Sequence, residues 1–143
     1  LIEPILDRTA ILPLLERCQL PTADIETSKS SVFFGYYQDS ILIAVVGLEL
    51  YPPVGLLRSL AVAPEHRHRG IGRTLVGCGE DYGQSRNLQS FYLLTTTAAE
   101  FFTKLGYASV DRAKAPASIQ ATAQFSQLCP AASTLMCKQW VDQ

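Results

Sequence analysis

The stretch Leu60-Ala61-Val62-Ala63-Pro64-Glu65-His66-Arg67-His68-Arg69-Gly70-Ile71-Gly72-Arg73 gathers the residue types that hold an anion. It reads as a strand ending in Ala-Pro, a short basic loop, and a first helical turn carrying two glycines. Glycine has no Cβ, so the backbone at Gly70 and Gly72 can approach a ligand closely and take unusual dihedral angles. The unpaired N–H groups of a first helical turn, with the positive end of the helix dipole, make an anion site. Between Arg58 and Arg73, four arginines (58, 67, 69 and 73) face one acid, Glu65. The whole chain has a net charge of −1. A basic segment in such a chain points to one anionic ligand at one place, not to a general nucleic-acid surface.

The pattern narrows the anion. G-x-x-x-x-G-K-[ST] is missing, which excludes the triphosphate loop of that type, and Leu75 occupies the third glycine position of a dinucleotide fingerprint. What fits is R-x-x-G-x-G, with Arg67, Gly70 and Gly72 after a strand ending Leu-Ala-Val-x-Pro. This resembles the coenzyme A pyrophosphate loop of the GNAT superfamily of N-acetyltransferases. One strand later, Phe101-Phe102-Thr103-Lys104-Leu105-Gly106-Tyr107 resembles that family's F-Y-x-x-x-G-F helix end. Leu94-Thr95-Thr96-Thr97-Ala98 and Leu128-Cys129-Pro130 look like the small acetyltransferases named for arsenic-resistance operons. The Leu-Thr-Thr run before a Phe-containing helix is also similar to the acetyltransferase domain of N-acetylglutamate synthases. The resemblance covers residues 31–140.

The resemblance implies a cofactor site and a reaction. Backbone amides of Arg67, His68, Arg69, Gly70, Ile71, Gly72 and Arg73 would cradle the pyrophosphate of acetyl-CoA, and no metal is called for. The strand Leu60, Ala61, Val62 would pair with the pantetheine arm, chiefly through Leu60 and Val62. Phe101 and Phe102 would complete the cofactor side. The reaction implied is direct attack of a neutral amine on the thioester, with a small amino-acid-like amine as acceptor. Polyamines, aminoglycosides and protein amines stay open as acceptors, and so does a non-catalytic acyl-CoA-binding sensor. The chain departs from the family at both usual proton carriers, with Leu56 at the base position and Phe102 at the acid position. Glu49, near the end of an apolar strand, is the candidate base, directly or through water. Arg58 is the candidate clamp for a substrate carboxylate, because simple alternation puts it on one strand face with Leu60 and Val62.

These residues need elements to hold them. Asp7 caps a helix that Pro13 starts or kinks, and Ala23–Lys29 reads as a second short helix. Ser31–Gln38 and Ile41–Leu50 read as strands joined by Asp39-Ser40, followed by a strand over Leu56–Val62. Leu1–Leu6 reads as a further strand. Gly70–Arg86 reads as a helix weakened by Gly77, Gly79 and Gly83, so packing must hold it. Strand Phe91–Thr96, helix Ala98–Leu105 with Gly106 as its stop, and strand Tyr107–Asp111 follow. Pro116 opens a helix to Leu128, and strand Ser133–Trp140 comes last. This order implies an α/β fold, a mixed sheet of six to seven strands with helices on both faces, splayed at the cofactor cleft.

Composition agrees with that class. Of the 143 residues, 48% are hydrophobic and 17% charged, a globular balance that fits one domain over residues 1–143. No apolar run reaches the ~20 residues of a membrane span, and no signal peptide is visible. Cys18, Cys78, Cys129 and Cys137 lack C-x-x-C spacing, which reads as reduced thiols in a cytoplasmic protein. The expected partner is a small-molecule amine, with no nucleic acid and no membrane. A homodimer is the oligomer the resemblance suggests.

Overall fold

The apolar run that begins at Ile41 does not alternate, which is the pattern of a strand covered on both faces. In the computed structural model, which describes residues 1–130 and 132–140, this run is β3 (Ile41–Tyr51), and Ile43 to Glu49 are all buried. It lies antiparallel between β2 (Ser31–Gln38) and β4 (Val54–Val62). Asp39 and Ser40 have φ of 53° and 66°, the left-handed pair that a tight two-residue hairpin requires. With β1 (Ile2–Pro4), β5 (Ser90–Thr95), β6 (Ala108–Ser109) and β7 (Thr134–Gln139), the sheet has seven strands in the order β1-β2-β3-β4-β5-β7-β6. The β4–β5 pair is parallel and the other pairs are antiparallel, so the sheet is mixed as expected.

Helices cover both faces. On one side α1 (Leu12–Arg17) follows a 3-10 turn capped by Asp7, whose carboxylate accepts from Thr9 N–H at 3.1 Å. Its Leu15 joins Ile11, Ile25, Phe33, Val45 and Ala61 in a buried cluster. On the other side α2 (Ile71–Ser85) sets Ile71, Leu75 and Val76 against Val46, Leu48, Leu57 and Phe91. Each such side chain, fully buried, contributes roughly 1.5–3 kcal/mol of transfer free energy. Two of the α2 glycines have a packing reason. A Cβ on Gly79 would lie 3.0 Å from Leu48, and one on Gly83 would lie 2.9 Å from Phe91. The helix therefore rests closer to the sheet than alanine would allow, and that packing offsets the ~1 kcal/mol per glycine lost in propensity.

Two expected helices differ. Residues 23–27 form turns and 28–29 no helix, because the Arg8 guanidinium donates to the Ile25 carbonyl (3.1 Å) and the Ser31 carbonyl (2.6 Å), and Asp24 is drawn to Arg58. The span expected as one helix from Pro116 to Leu128 splits into α4 (Ala117–Gln120) and a π-helical turn at Gln124–Leu128. Thr122 causes the break. Its hydroxyl donates to the Ile119 carbonyl (2.7 Å) and accepts from Phe125 N–H (3.2 Å), competing with the helical ladder. The strand expected over Tyr107–Asp111 is only the two-residue β6, with Tyr107 buried beside it.

Candidate active site

The cleft exists because β4 and β5 part. They pair only at Val54–Leu56 against Ser90–Tyr92, and beyond that point the strands diverge. A bulge in β4 drives the divergence. Its register with β3 moves from Gly47↔Arg58 to Val45↔Ala61, one extra residue on β4, and Ser59 takes φ 57°. Such a bulge bends the strand and re-aims the side chains after it. Across the cleft, β5 leads into α3 (Ala99–Lys104), whose start is tied by Ala98 N–H donating to Thr95 Oγ1 at 3.0 Å.

The bulge corrects the expected alternation of Arg58 with Leu60 and Val62. Arg58 falls on the opposite face, its guanidinium 5.9 Å from the Phe33 ring centre, while Leu60 and Val62 pack toward the α2 cluster. There the guanidinium is fully engaged. Its two terminal nitrogens donate to both Asp24 oxygens at 2.6 Å, one of them also to Glu49 Oε2 at 2.7 Å, and Nε donates to Ser59 Oγ at 3.0 Å. Glu49 Oε1 in turn accepts from the Tyr51 hydroxyl. The Arg58 side chain is 0% exposed and that of Glu49 4%. Burial works to raise the Asp24 carboxyl, but the Arg58 guanidinium outweighs it and holds that carboxyl below the usual carboxylate range. Burial beside the Glu49 carboxylate pushes the Tyr51 phenol well up. Arg58 therefore touches the cleft only through its main chain, and Glu49 does not line it. The expected base and clamp are brought together as a buried ion cluster behind the wall. Leu56, at the position where a base would be sought, is 1% exposed in the apolar core.

The cleft itself encloses about 880 Å³. Every residue expected at the cofactor lines it except Arg69, whose guanidinium is taken by His66 Nδ1 (2.6 Å) and Gln38 Oε1 (3.2 Å). The loop is shaped for backbone contact. His68 and Gly70 have φ of 66° and 79°, and the helical ladder starts with Thr74 N–H donating to the Gly70 carbonyl at 3.1 Å. The N–H groups of Ile71, Gly72 and Arg73 are therefore left free of the ladder at the cleft end of α2. Arg67 turns the other way. Its Nε donates to the Val62 carbonyl at 3.1 Å and a terminal nitrogen lies 3.4 Å from Cys18 Sγ, pinning the loop to the end of β4. Ala63 N–H bonds across β3 to the Ile43 carbonyl at 2.8 Å, so alternation turns the peptide groups of Leu60 and Val62 to the cleft side. Phe101 closes over the first turn of α2, 3.4 Å from where a Gly72 Cβ would stand. Phe102 is 5% exposed and serves mainly packing, edge-on to Phe101 and Tyr107.

Sequence reasoning missed several residues here. Asp24 lies in a segment read as helix, and a lone acid between Ala23 and the fully buried Ile25 was its only signal. Ser59 gave none. Gln124, a buried amide lining the cleft, carried no signal, standing among the polar residues Gln120, Thr122, Ser126 and Gln127.

A mixed sheet opened at a parallel pair, with a glycine-bearing loop and a helix N-terminus at the opening, defines a coenzyme A-type acyltransferase cleft. Residues 4–107 match the acetyltransferase (GNAT) family, and the chain belongs to that family. No curated protein matches it. Among solved structures, the fold is similar to N-acetylglutamate synthase from Neisseria gonorrhoeae complexed with coenzyme A and N-acetyl-glutamate, at TM-score 0.79 and 15% identity over 99% of this chain. The chain spans 36% of that synthase. It is also similar to a GNAT-family acetyltransferase from Staphylococcus aureus, at TM-score 0.77 and 16% identity over 97% of this chain and 99% of the other. A Mycobacterium tuberculosis protein in complex with CoA matches at TM-score 0.76 and 15% identity, over 99% of both chains. Likeness to arsenic-resistance enzymes is not seen in these comparisons. Among the described residues, no helix is long and apolar enough to cross a membrane, and no three His, Cys, Asp or Glu side chains gather as metal ligands.

Proposed function

We propose that this chain transfers the acetyl group of acetyl-CoA to the primary amine of a small, amino-acid-like acceptor by direct attack. The observation that carries the acceptor class is the charge of the cleft wall. Among the described residues no Asp or Glu lines it; its arginine and histidine side chains, His66, Arg67, His68 and Arg73, belong to the loop given to the cofactor, and Arg58 enters only by its main chain. A polyamine or aminoglycoside brings several ammonium groups into a narrow cleft and needs carboxylates to meet them. An acceptor with its own carboxylate suits this wall better. The N-acetyl-glutamate complex of the synthase supports the same class.

In this reading the amides of His68, Gly70, Ile71, Gly72 and Arg73 take the pyrophosphate, and the cleft-facing peptide group of Leu60 with the N–H of Val62 takes the pantetheine arm as an added strand. A backbone N–H near the bulge polarises the thioester carbonyl. Glu49 is shut off from the cleft by Arg58, so we assign it the holding of Arg58, and water takes the ammonium proton. Departure of the thiolate also proceeds without a protein acid, since a thiol pKa near 8.5 already makes it a fair leaving group. The likeness of residues 94–98 and 128–130 to arsenic-resistance enzymes adds phosphinic and arsinic amino-acid analogues to the acceptors to be tried.

The test is thiol release from acetyl-CoA with a panel of L-amino acids, those analogues, and polyamines. Turnover with carboxylate-bearing amines is expected. Turnover confined to polyamines overturns the acceptor class. Silence across the panel, with coenzyme A binding seen by calorimetry, overturns the catalytic reading in favour of a sensor.

A further inference from the structure

A further part of the cleft wall is built from the π-helical turn Gln124–Leu128 together with Cys129, Pro130 and Ser133. Nothing in the cofactor reading uses this wall, yet it is held firmly. The Arg112 guanidinium donates to both the carbonyl and Oγ of Ser133 at 3.1 Å and lies 4.6 Å from the Phe125 ring centre. Cys129 N–H donates to the Gln124 carbonyl at 3.0 Å. π-Helical turns of this kind are costly and recur at functional sites.

Gln124 is the residue this wall leaves unsatisfied. It lines the cleft and is 6% exposed. The Cys129 thiol donates to its Oε1 at 3.2 Å, fixing one end of the carboxamide. Its Nε2 is buried and has no hydrogen-bond partner among the described residues. Turning the amide over would hand the thiol to Nε2 and strand Oε1 instead, so one polar end lacks a protein partner either way. A buried donor without a partner is destabilising, and native proteins keep one where something else supplies the partner. What an unpartnered N–H lacks is an acceptor, such as a ligand oxygen in the cleft. Burial is the largest influence on the neighbouring Cys129 thiol and pushes it up, with the Arg58 and Arg112 guanidiniums acting the other way and Asp24 adding to the rise.

We infer that Gln124 determines acceptor specificity: its carboxamide N–H donates to the carboxylate of the acceptor, holding that end on the C-terminal wall so that the amine points at the β4–β5 opening. This rests on the acceptor class proposed above and names the residue that reads it. A neutral amide suits the task. It binds the carboxylate without forming an ion pair that would hold the product.

The experiment measures kinetics of the intact chain and of Gln124→Leu and Gln124→Glu, with acetyl-CoA and pairs of acceptors, each amino acid beside its decarboxylated amine. Loss of a hydrogen bond to a charged partner predicts a KM for the amino acid raised about 10- to 100-fold in Gln124→Leu. The KM of the paired amine should move less than about 3-fold, and coenzyme A affinity by calorimetry should be unchanged. Gln124→Glu, similar in shape but negative, should reject the amino acid at least as strongly while keeping the paired amine, which separates recognition from misfolding. Equal effects on both members of each pair, or none on either, overturn the assignment of Gln124 while leaving the acetyltransferase reading intact. Absence of turnover by the unmodified chain with every acceptor overturns both.

Discussion

The most exposed part of this account is the buried cluster of Arg58, Asp24 and Glu49, because it replaces a substrate clamp with a structural lock. Arg58→Met removes the cation and leaves two carboxylates in its former shell, with side chains 17% and 4% exposed. Breaking a buried ion pair from one side costs about 3–5 kcal/mol, since the remaining charge is neither paired nor hydrated. For a chain of 143 residues that predicts a fall in Tm of roughly 10–20 °C. The pH dependence has a fixed sign. Asp24 has its folded carboxyl lowered, so its contribution is complete above the unfolded value of 3.8 and is lost as the pH falls through the folded value. The gap between the two proteins should therefore be widest at neutral pH and narrow below about pH 4. Arg58→Met combined with Asp24→Asn and Glu49→Gln should recover more than half of the loss, because no unpaired charge remains. The assay is thermal unfolding of all three proteins followed by circular dichroism across that pH range. A loss below ~1 kcal/mol, the range of exposed pairs, would refute the lock. An unchanged Tm with a raised acceptor KM would restore the clamp.

Three other outcomes follow from the geometry. Gly70→Ala forces φ 79° on a residue with a Cβ, which meets no atom within 4 Å, so its cost is conformational at about 1–2 kcal/mol; the KM for acetyl-CoA should rise about 10-fold through disturbed amide contacts to charged oxygens, with the acceptor KM little changed. Direct attack by a neutral amine makes activity rise with pH and level off where the acceptor ammonium has lost its proton; Glu49→Gln should leave that midpoint in place, and a shift in it would return Glu49 to the role of base. Arg112→Ala removes the tie to Ser133 and the cation over Phe125, and should raise the KM of carboxylate-bearing acceptors several-fold without moving coenzyme A affinity, read by steady-state kinetics and calorimetry.

Much of the fold was legible because its signals are local. The unbroken apolar run of β3, the Asp39-Ser40 hairpin and the glycine pair opening α2 each follow from residues close together in the chain. The expected cofactor segments were legible for the same reason, and they converge on one cleft. What stayed hidden depends on distant partners. The sequence Ser59-Leu60 carries no glycine or proline to announce a bulge, and one added residue reversed the face of Arg58. Residues 23–29 have helix-compatible composition, yet Arg8 and Arg58 claim their carbonyls and carboxylate from far along the chain. At 116–128 Pro116 at a first-turn position does open a helix, but the Thr122 hydroxyl cuts the ladder. Gln124 could be judged only once its neighbours were known, because an unpartnered donor is a property of the packed site.

The central claim is acetyl transfer at this cleft to an amine that carries a carboxylate. The most direct measurement is transfer of an isotopically labelled acetyl group from acetyl-CoA, read by mass spectrometry in a single mixture of L-amino acids and polyamines. The account predicts labelled N-acetyl products on carboxylate-bearing amines and little on the polyamines. Label found only on polyamines, or on no amine while coenzyme A binds the chain, would contradict it.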